Sequence, residues 1–102
     1  ENIYPAEVEN ALMSHDEILD AAVVGVPDEK WGEAVKAFVV LSDSSLDEDQ
    51  VISYTKTKIA GYKCPRSINF ISELPRNPSG KILRRELRDP YWEGIDRKVS
   101  GN

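Results

Sequence analysis

Lys81 closes the stretch Pro75-Arg76-Asn77-Pro78-Ser79-Gly80-Lys81, whose composition is that of a rigid loop delivering one charge. Pro75 and Pro78 fix φ on either side of Asn77, and Gly80 opens backbone conformations closed to other residues, so the loop can hold a tight path. Two readings fit the loop alone: a solvated turn with Lys81 in the first turn of the following helix, or an ammonium aimed at an anionic reactant. Helix stability does not account for the lysine, because a helix N-terminus is already positive. His15 sits in a turn with no serine or cysteine nucleophile motif near it, and a structural or capping role is expected. Cys64, between Lys63 and Pro65, is expected to pack rather than react. One cysteine cannot form an internal disulfide, which fits a reducing, cytoplasmic setting. With one histidine beside it, no metal site is expected.

The charge is divided along the chain. Residues 1–55 hold two basic against thirteen acidic side chains, a net of −11, and residues 56–102 hold eleven against five, a net of +6. The overall −5 argues against nucleic-acid binding, while the basic half that contains the loop suits an anion such as a nucleotide or pyrophosphate. Lys58 and Lys63 belong to that half. A length of 102 residues, 40% hydrophobic and 30% charged, describes one small soluble domain, and no apolar run reaches the roughly 18 residues of a membrane span.

The elements that must position the loop follow from periodicity. The chain opens on Glu1-Asn2-Ile3-Tyr4-Pro5 without a methionine, as if cut from something longer. Pro5 suits a first helical position, and Val8, Ala11 and Leu12 recur at helical spacing with Glu7, Glu9 and Asn10 between them, predicting a helix over 5–14. Residues 21–26 and 35–41 read as strands joined by a long polar loop. Its Trp31 is expected to close one end of the core, with an exposed ligand platform as the alternative. Asp47 and Gln50 form a capping-box pair that starts a helix running to about Ala60, stopped by Gly61. Residues 67–72 read as a third strand, and residues 82–88 as a last helix ended by Pro90. The expected architecture is α+β, a small three-stranded sheet packed with helices in the order helix-strand-strand-helix-strand-helix, with the third strand parallel to the second and lying beside the first. Residues 1–88 form the domain, and residues 89–102 a tail without periodicity.

Four stretches then carry a resemblance: Glu1-Asn2-Ile3-Tyr4-Pro5-Ala6-Glu7-Val8-Glu9, Ala21-Ala22-Val23-Val24-Gly25-Val26-Pro27-Asp28, Trp31-Gly32-Glu33, and Ser79-Gly80-Lys81-Ile82-Leu83-Arg84-Arg85. In this order they resemble the C-terminal domain of the adenylate-forming enzymes, which include acyl-CoA synthetases and peptide-synthetase adenylation domains. The ending Asp89-Pro90-Tyr91-Trp92-Glu93-Gly94 is most similar to bacterial fatty-acyl-CoA synthetases.

The resemblance implies two half-reactions. A carboxylate attacks the α-phosphate of ATP, giving an acyl-adenylate and pyrophosphate; after rotation of the C-terminal domain, the thiol of coenzyme A displaces AMP. It implies that Lys81 serves the first step, its ammonium stabilising charge on the carboxylate and α-phosphate, with Gly80 beside the nucleotide. It implies that Asn2 contacts coenzyme A, and that acylation of Lys81 would switch adenylation off by removing its charge. Lys58 and Lys63 are candidates for the 3′-phosphate of coenzyme A on charge and location alone. ATP with its magnesium and the acyl group would be held mainly by an N-terminal domain of the same polypeptide, so these residues alone are expected to be inactive. Two alternatives are a free-standing interaction or nucleotide-binding module, and the same domain serving a carrier-protein acceptor.

Overall fold

The computed structural model describes residues 3–43 and 45–95. Its elements keep the expected order: α1 (Pro5–Met13), β1 (Ile18–Asp28), β2 (Gly32–Leu41), α2 (Glu48–Lys56), β3 (Ser67–Phe70) and α3 (Arg84–Trp92), with a 3-10 turn at Gly61–Lys63. Pro5 occupies the first turn of α1, where its missing N–H costs nothing. The capping box of α2 forms in both directions: Gln50 N–H donates to Asp47 Oδ1 at 2.8 Å, and Asp47 N–H to Gln50 Oε1 at 2.9 Å.

The sheet is covered on both faces, which is why β1 and β2 read as nearly continuous apolar runs. On one face Ala21, Val23, Ala37, Val39 and Ile68 pack against Val8 and Leu12 of α1 and Val51 of α2. On the other, Ala22, Val24 and Phe38 pack against Leu74, Ile82 and Leu87, so the segment holding the loop is itself part of a core. Among the described residues no helix is long and apolar enough to cross a membrane.

The strand order differs from expectation. The sheet runs β1-β2-β3, with β3 parallel to β2 as expected but beside it rather than beside β1. The outer edge of β1 is already occupied by side chains. Ala21 N–H donates to Asp20 Oδ1, Val23 N–H to Glu9 Oε2, and Trp92 Nε1 donates to the Gly25 carbonyl at 2.8 Å. A β3 placed there would have to displace all three. Pro27, on the same alternation as Val23 and Gly25, adds no N–H to that edge.

Other boundaries also move. The hairpin loop is short, because β1 and β2 stay paired out to Asp28 and Gly32. Asp28 Oδ2 accepts from the N–H groups of Lys30 and Trp31, and Gly32 takes φ +81°, so residues 29–31 close the turn. Helix α2 ends at Lys56 rather than Ala60, and Gly61, with no positive φ, opens the 3-10 turn instead of stopping the helix. Strand β3 stops at Phe70. Pro90 lies inside α3, which continues to Trp92. The two residues after this proline dock on the sheet. Tyr91 meets Phe38 edge-on at 6.3 Å and accepts a hydrogen bond from Asn69 Nδ2, while Trp92 reaches Gly25.

Candidate functional site

The loop ending in Lys81 is built around one side chain. Asn77 Oδ1 accepts from Ser79 N–H at 3.0 Å, Ser79 Oγ at 2.8 Å and Lys81 N–H at 2.9 Å. Asn77 N–H donates to the Lys81 carbonyl, Gly80 N–H to the Asn77 carbonyl, and Arg76 and Ile82 face each other as an antiparallel bridge. Gly80 takes φ +92°, which lets the chain reverse within this ring of hydrogen bonds. The backbone of Lys81 is therefore fixed on both its N–H and its carbonyl. Its side chain is exposed and, among the described residues, its ammonium makes no hydrogen bond or ion pair.

Two arginines attach this loop to the rest of the fold. Arg76 joins Asp20, at the start of β1, at 2.6 Å. Arg84, the first residue of α3, grips Glu9 of α1 with Nε at 3.1 Å and Nη2 at 2.6 and 2.8 Å from its two oxygens. Glu9 is 5% exposed, against the sequence expectation of a polar residue between apolar ones. Its carboxylate sits where α1, the β1 edge and α3 meet. The sequence holds no local signal for this, because the partners stand 14 and 75 positions away.

The other sequence candidates are elsewhere. Lys63 donates to both Glu7 oxygens at 3.0 and 3.2 Å, and this hydrogen bond holds its pKa above the ordinary lysine value. Lys58 is exposed, with its ammonium 5.5 Å from the Tyr54 ring. Asn2 lies outside the described residues. His15 does play a turn role, its Nδ1 accepting from Glu17 N–H and its ring packing edge-on to Tyr54. Cys64 is buried, as expected of a packing residue.

Trp31 corrects the sequence reading. It does not close the core but stands 59% exposed at the hairpin tip, because the short turn holds its side chain outward. Lys30 Nζ lies 5.0 Å from its ring and the Arg66 guanidinium 5.9 Å. Arg66 also borders a groove of about 510 Å³ lined by Lys56, Tyr62 and Cys64. An exposed indole flanked by cations, one of which, Arg66, also lines the groove, can take a flat anion. Arg66, Tyr62 and Lys56 were not among the sequence candidates; the Trp-plus-cation composition appears only once the hairpin folds toward the residues after α2. Among the described residues no group of three His, Cys, Asp or Glu could hold a metal ion.

The loop and the hairpin tip thus stand at opposite ends of β1, separated by the eight residue steps from Asp20 to Asp28, about 26 Å of strand. Residues 7–81, from the first turn of α1 to the exposed lysine, match the AMP-binding enzyme C-terminal domain. The chain belongs to that family. This AMP-binding enzyme C-terminal domain is 48% identical, over 98% of its length, to a fatty acid–[acyl-carrier-protein] ligase of Streptomyces coeruleorubidus, ScoC, of which it covers 20%. It is 44% identical, over 89% of its length, to the long-chain-fatty-acid–CoA ligase FadD13 of Mycobacterium tuberculosis, covering 18% of it. Among solved structures it resembles ATP-bound MatB from Rhodopseudomonas palustris, with a TM-score of 0.84 and 33% identity over 93% of this chain and 19% of that one. The domain spans about one fifth of the length of the curated relatives it matches.

Proposed function

We propose that this domain serves an ATP-dependent fatty-acyl ligase and supplies its adenylation lysine, Lys81. In the first half-reaction a carboxylate oxygen bonds to the α-phosphorus of ATP and pyrophosphate leaves. The Lys81 ammonium neutralises charge shared between the entering carboxylate and the α-phosphate. In the second, the thiol sulfur of coenzyme A bonds to the acyl carbon and AMP leaves. The observation behind this reading is the contrast within one residue: the Lys81 backbone is hydrogen-bonded on both sides, while its ammonium has no partner among the described residues. A preorganised charge aimed at a developing charge is what phosphoryl-type chemistry needs from a protein. The remaining parts of the site belong to protein beyond this domain, and the domain alone is inactive in this reading.

The basic groove beside Trp31 supports coenzyme A as acceptor, its adenine stacking on the indole and its phosphates meeting Arg66 and Lys56. Lys63 lies beside the groove residue Tyr62, 5.7 Å from its ring, although it would have to leave Glu7 to reach a phosphate. A carrier protein is the second reading, favoured by the 48% identity to ScoC, whose name specifies an acyl-carrier-protein acceptor. Parallel assays of the intact ligase with coenzyme A and with acyl-carrier protein separate the two.

The test of the lysine is Lys81→Ala in the intact ligase. Pyrophosphate release without acceptor is expected to fall about 100- to 1000-fold, the scale of losing one preorganised electrostatic donor. Thioester formation from supplied acyl-adenylate should stay near wild type. Equal loss in both assays would remove Lys81 from its assigned step.

A further inference from the structure

The Arg76 guanidinium spans two groups. Its Nη2 donates to Asp20 Oδ2 at 2.6 Å, and its Nη1 donates to the Gly80 carbonyl at 2.6 Å. That carbonyl belongs to the peptide linking Gly80 to Lys81, so the guanidinium holds the peptide plane immediately ahead of the lysine. Asp20 is itself held, since its other oxygen, Oδ1, accepts from Ala21 N–H on the outer edge of β1 at 3.0 Å. A continuous chain of polar contacts therefore runs from the rigid strand edge through Asp20 and Arg76 to the backbone of Lys81.

The hydrogen bonds of Asn77 give the loop its shape, but all of them lie within the loop and none fixes its direction relative to the sheet. Packing of Leu74 and Ile82 on Phe38 and its neighbours anchors the base of the loop. Arg76 ties the tip. Both partners are at the surface, and an ion pair this exposed adds little to folding stability. It does fix an angle, because a planar fork bonded at both ends cannot rotate as a single ammonium can. We propose that Asp20 and Arg76 are positioning residues for adenylation, a strut that sets where the Lys81 ammonium points. The proposal rests on the assignment of Lys81 made above.

The experiment uses the intact ligase and measures pyrophosphate release without acceptor, thioester formation from supplied acyl-adenylate, and the urea unfolding midpoint. Arg76→Ala is expected to lower kcat for adenylation about 10- to 100-fold, the cost of a small misplacement of a catalytic group. KM for ATP, the thioester step and the midpoint should stay close to wild type. Arg76→Lys keeps the charge but cannot bond both partners, and should resemble Arg76→Ala rather than wild type. Asp20→Asn should give a partial loss, and adding it to Arg76→Ala should cause no further loss, since one strut can be cut only once. Wild-type adenylation in Arg76→Ala, equal losses in both half-reactions, or additive losses in the double variant would each overturn the strut. If Arg76→Ala does not fold, Arg76→Lys and Asp20→Asn decide by the same criteria. Lys81→Ala run alongside separates the two claims. Its failure to affect adenylation removes the lysine assignment itself, whereas a strong effect there with none at Arg76 removes only the strut.

Discussion

Glu9 shows how much one residue can hold together. Its carboxylate accepts from the Val23 N–H and from the Arg84 guanidinium while almost fully buried, so α1, the edge of β1 and α3 all depend on it. Without Glu9 the buried Val23 N–H loses its acceptor, whereas Arg84, 37% exposed, is left facing water. Glu9→Ala is expected to lower stability by about 1–3 kcal/mol, read as a fall in the urea midpoint. A change under about 0.5 kcal/mol, the range of an ordinary surface substitution, would mean that water replaces the carboxylate at no cost. Gly80 differs in kind. No atom lies within 4 Å of where its Cβ would sit, so its requirement comes wholly from φ and not from space. Lys81, by contrast, was marked by its surroundings in sequence: two prolines, an asparagine and a glycine impose a shape on the backbone locally, and local shape is what a sequence displays most directly.

At the scale of elements, what the sequence displayed and what it hid divide along the same line. Helix α1 with its leading proline, the capping box of α2 and the order of all six elements follow from neighbours in the chain. The strand order does not, because the groups that close the edge of β1 come from Glu9 and Trp92, on helices at opposite ends of the chain. The continuation of α3 past Pro90 has a similar cause. A proline there removes one helical hydrogen bond, and Tyr91 and Trp92 gain contacts with the sheet that offset it. Their docking has an electrostatic consequence. The end of α3 covers Lys36, whose ammonium lies 5.4 Å from the Tyr91 ring and donates to Ser67 Oγ at 3.2 Å. Burial pushes its pKa below the ordinary 10.5, and the carboxylate of Glu48 offsets part of that shift. A lysine with a lowered folded pKa binds fewer protons folded than unfolded, so its penalty is complete below that pKa. It is relieved as pH rises toward 10.5. The stability difference between wild type and Lys36→Met should therefore shift in favour of wild type between neutral pH and about pH 10. Lys63, whose pKa moves the other way, is common to both proteins and cancels. Urea midpoints across that range test this, and a difference independent of pH would show that the helix does not desolvate the lysine.

For the whole molecule, the decisive feature is that its two candidate surfaces lie at opposite ends of β1. Lys81 projects near the Asp20 end of β1, and Trp31 with Arg66 stands at the hairpin end, a strand length away. If, as proposed, Lys81 serves adenylation and the Trp31 end binds the acceptor, the two ends act in separate half-reactions. This predicts that variants at the two ends fail in opposite assays. Trp31→Ala should raise KM for coenzyme A about 10- to 100-fold, corresponding to about 1–3 kcal/mol for stacking a base on an aromatic ring. Pyrophosphate release without acceptor should be unchanged, the mirror image of Lys81→Ala. Because Trp31 is exposed and its turn is held by backbone N–H groups on Asp28, the substitution leaves the fold intact, which an unchanged urea midpoint would verify. If Trp31→Ala impairs adenylation and thioester formation alike, the hairpin tip docks against the rest of the ligase in both states and the two ends do not alternate. If acyl transfer to a carrier protein is impaired and transfer to coenzyme A is not, the indole contacts a protein acceptor and the nucleotide reading of the groove fails.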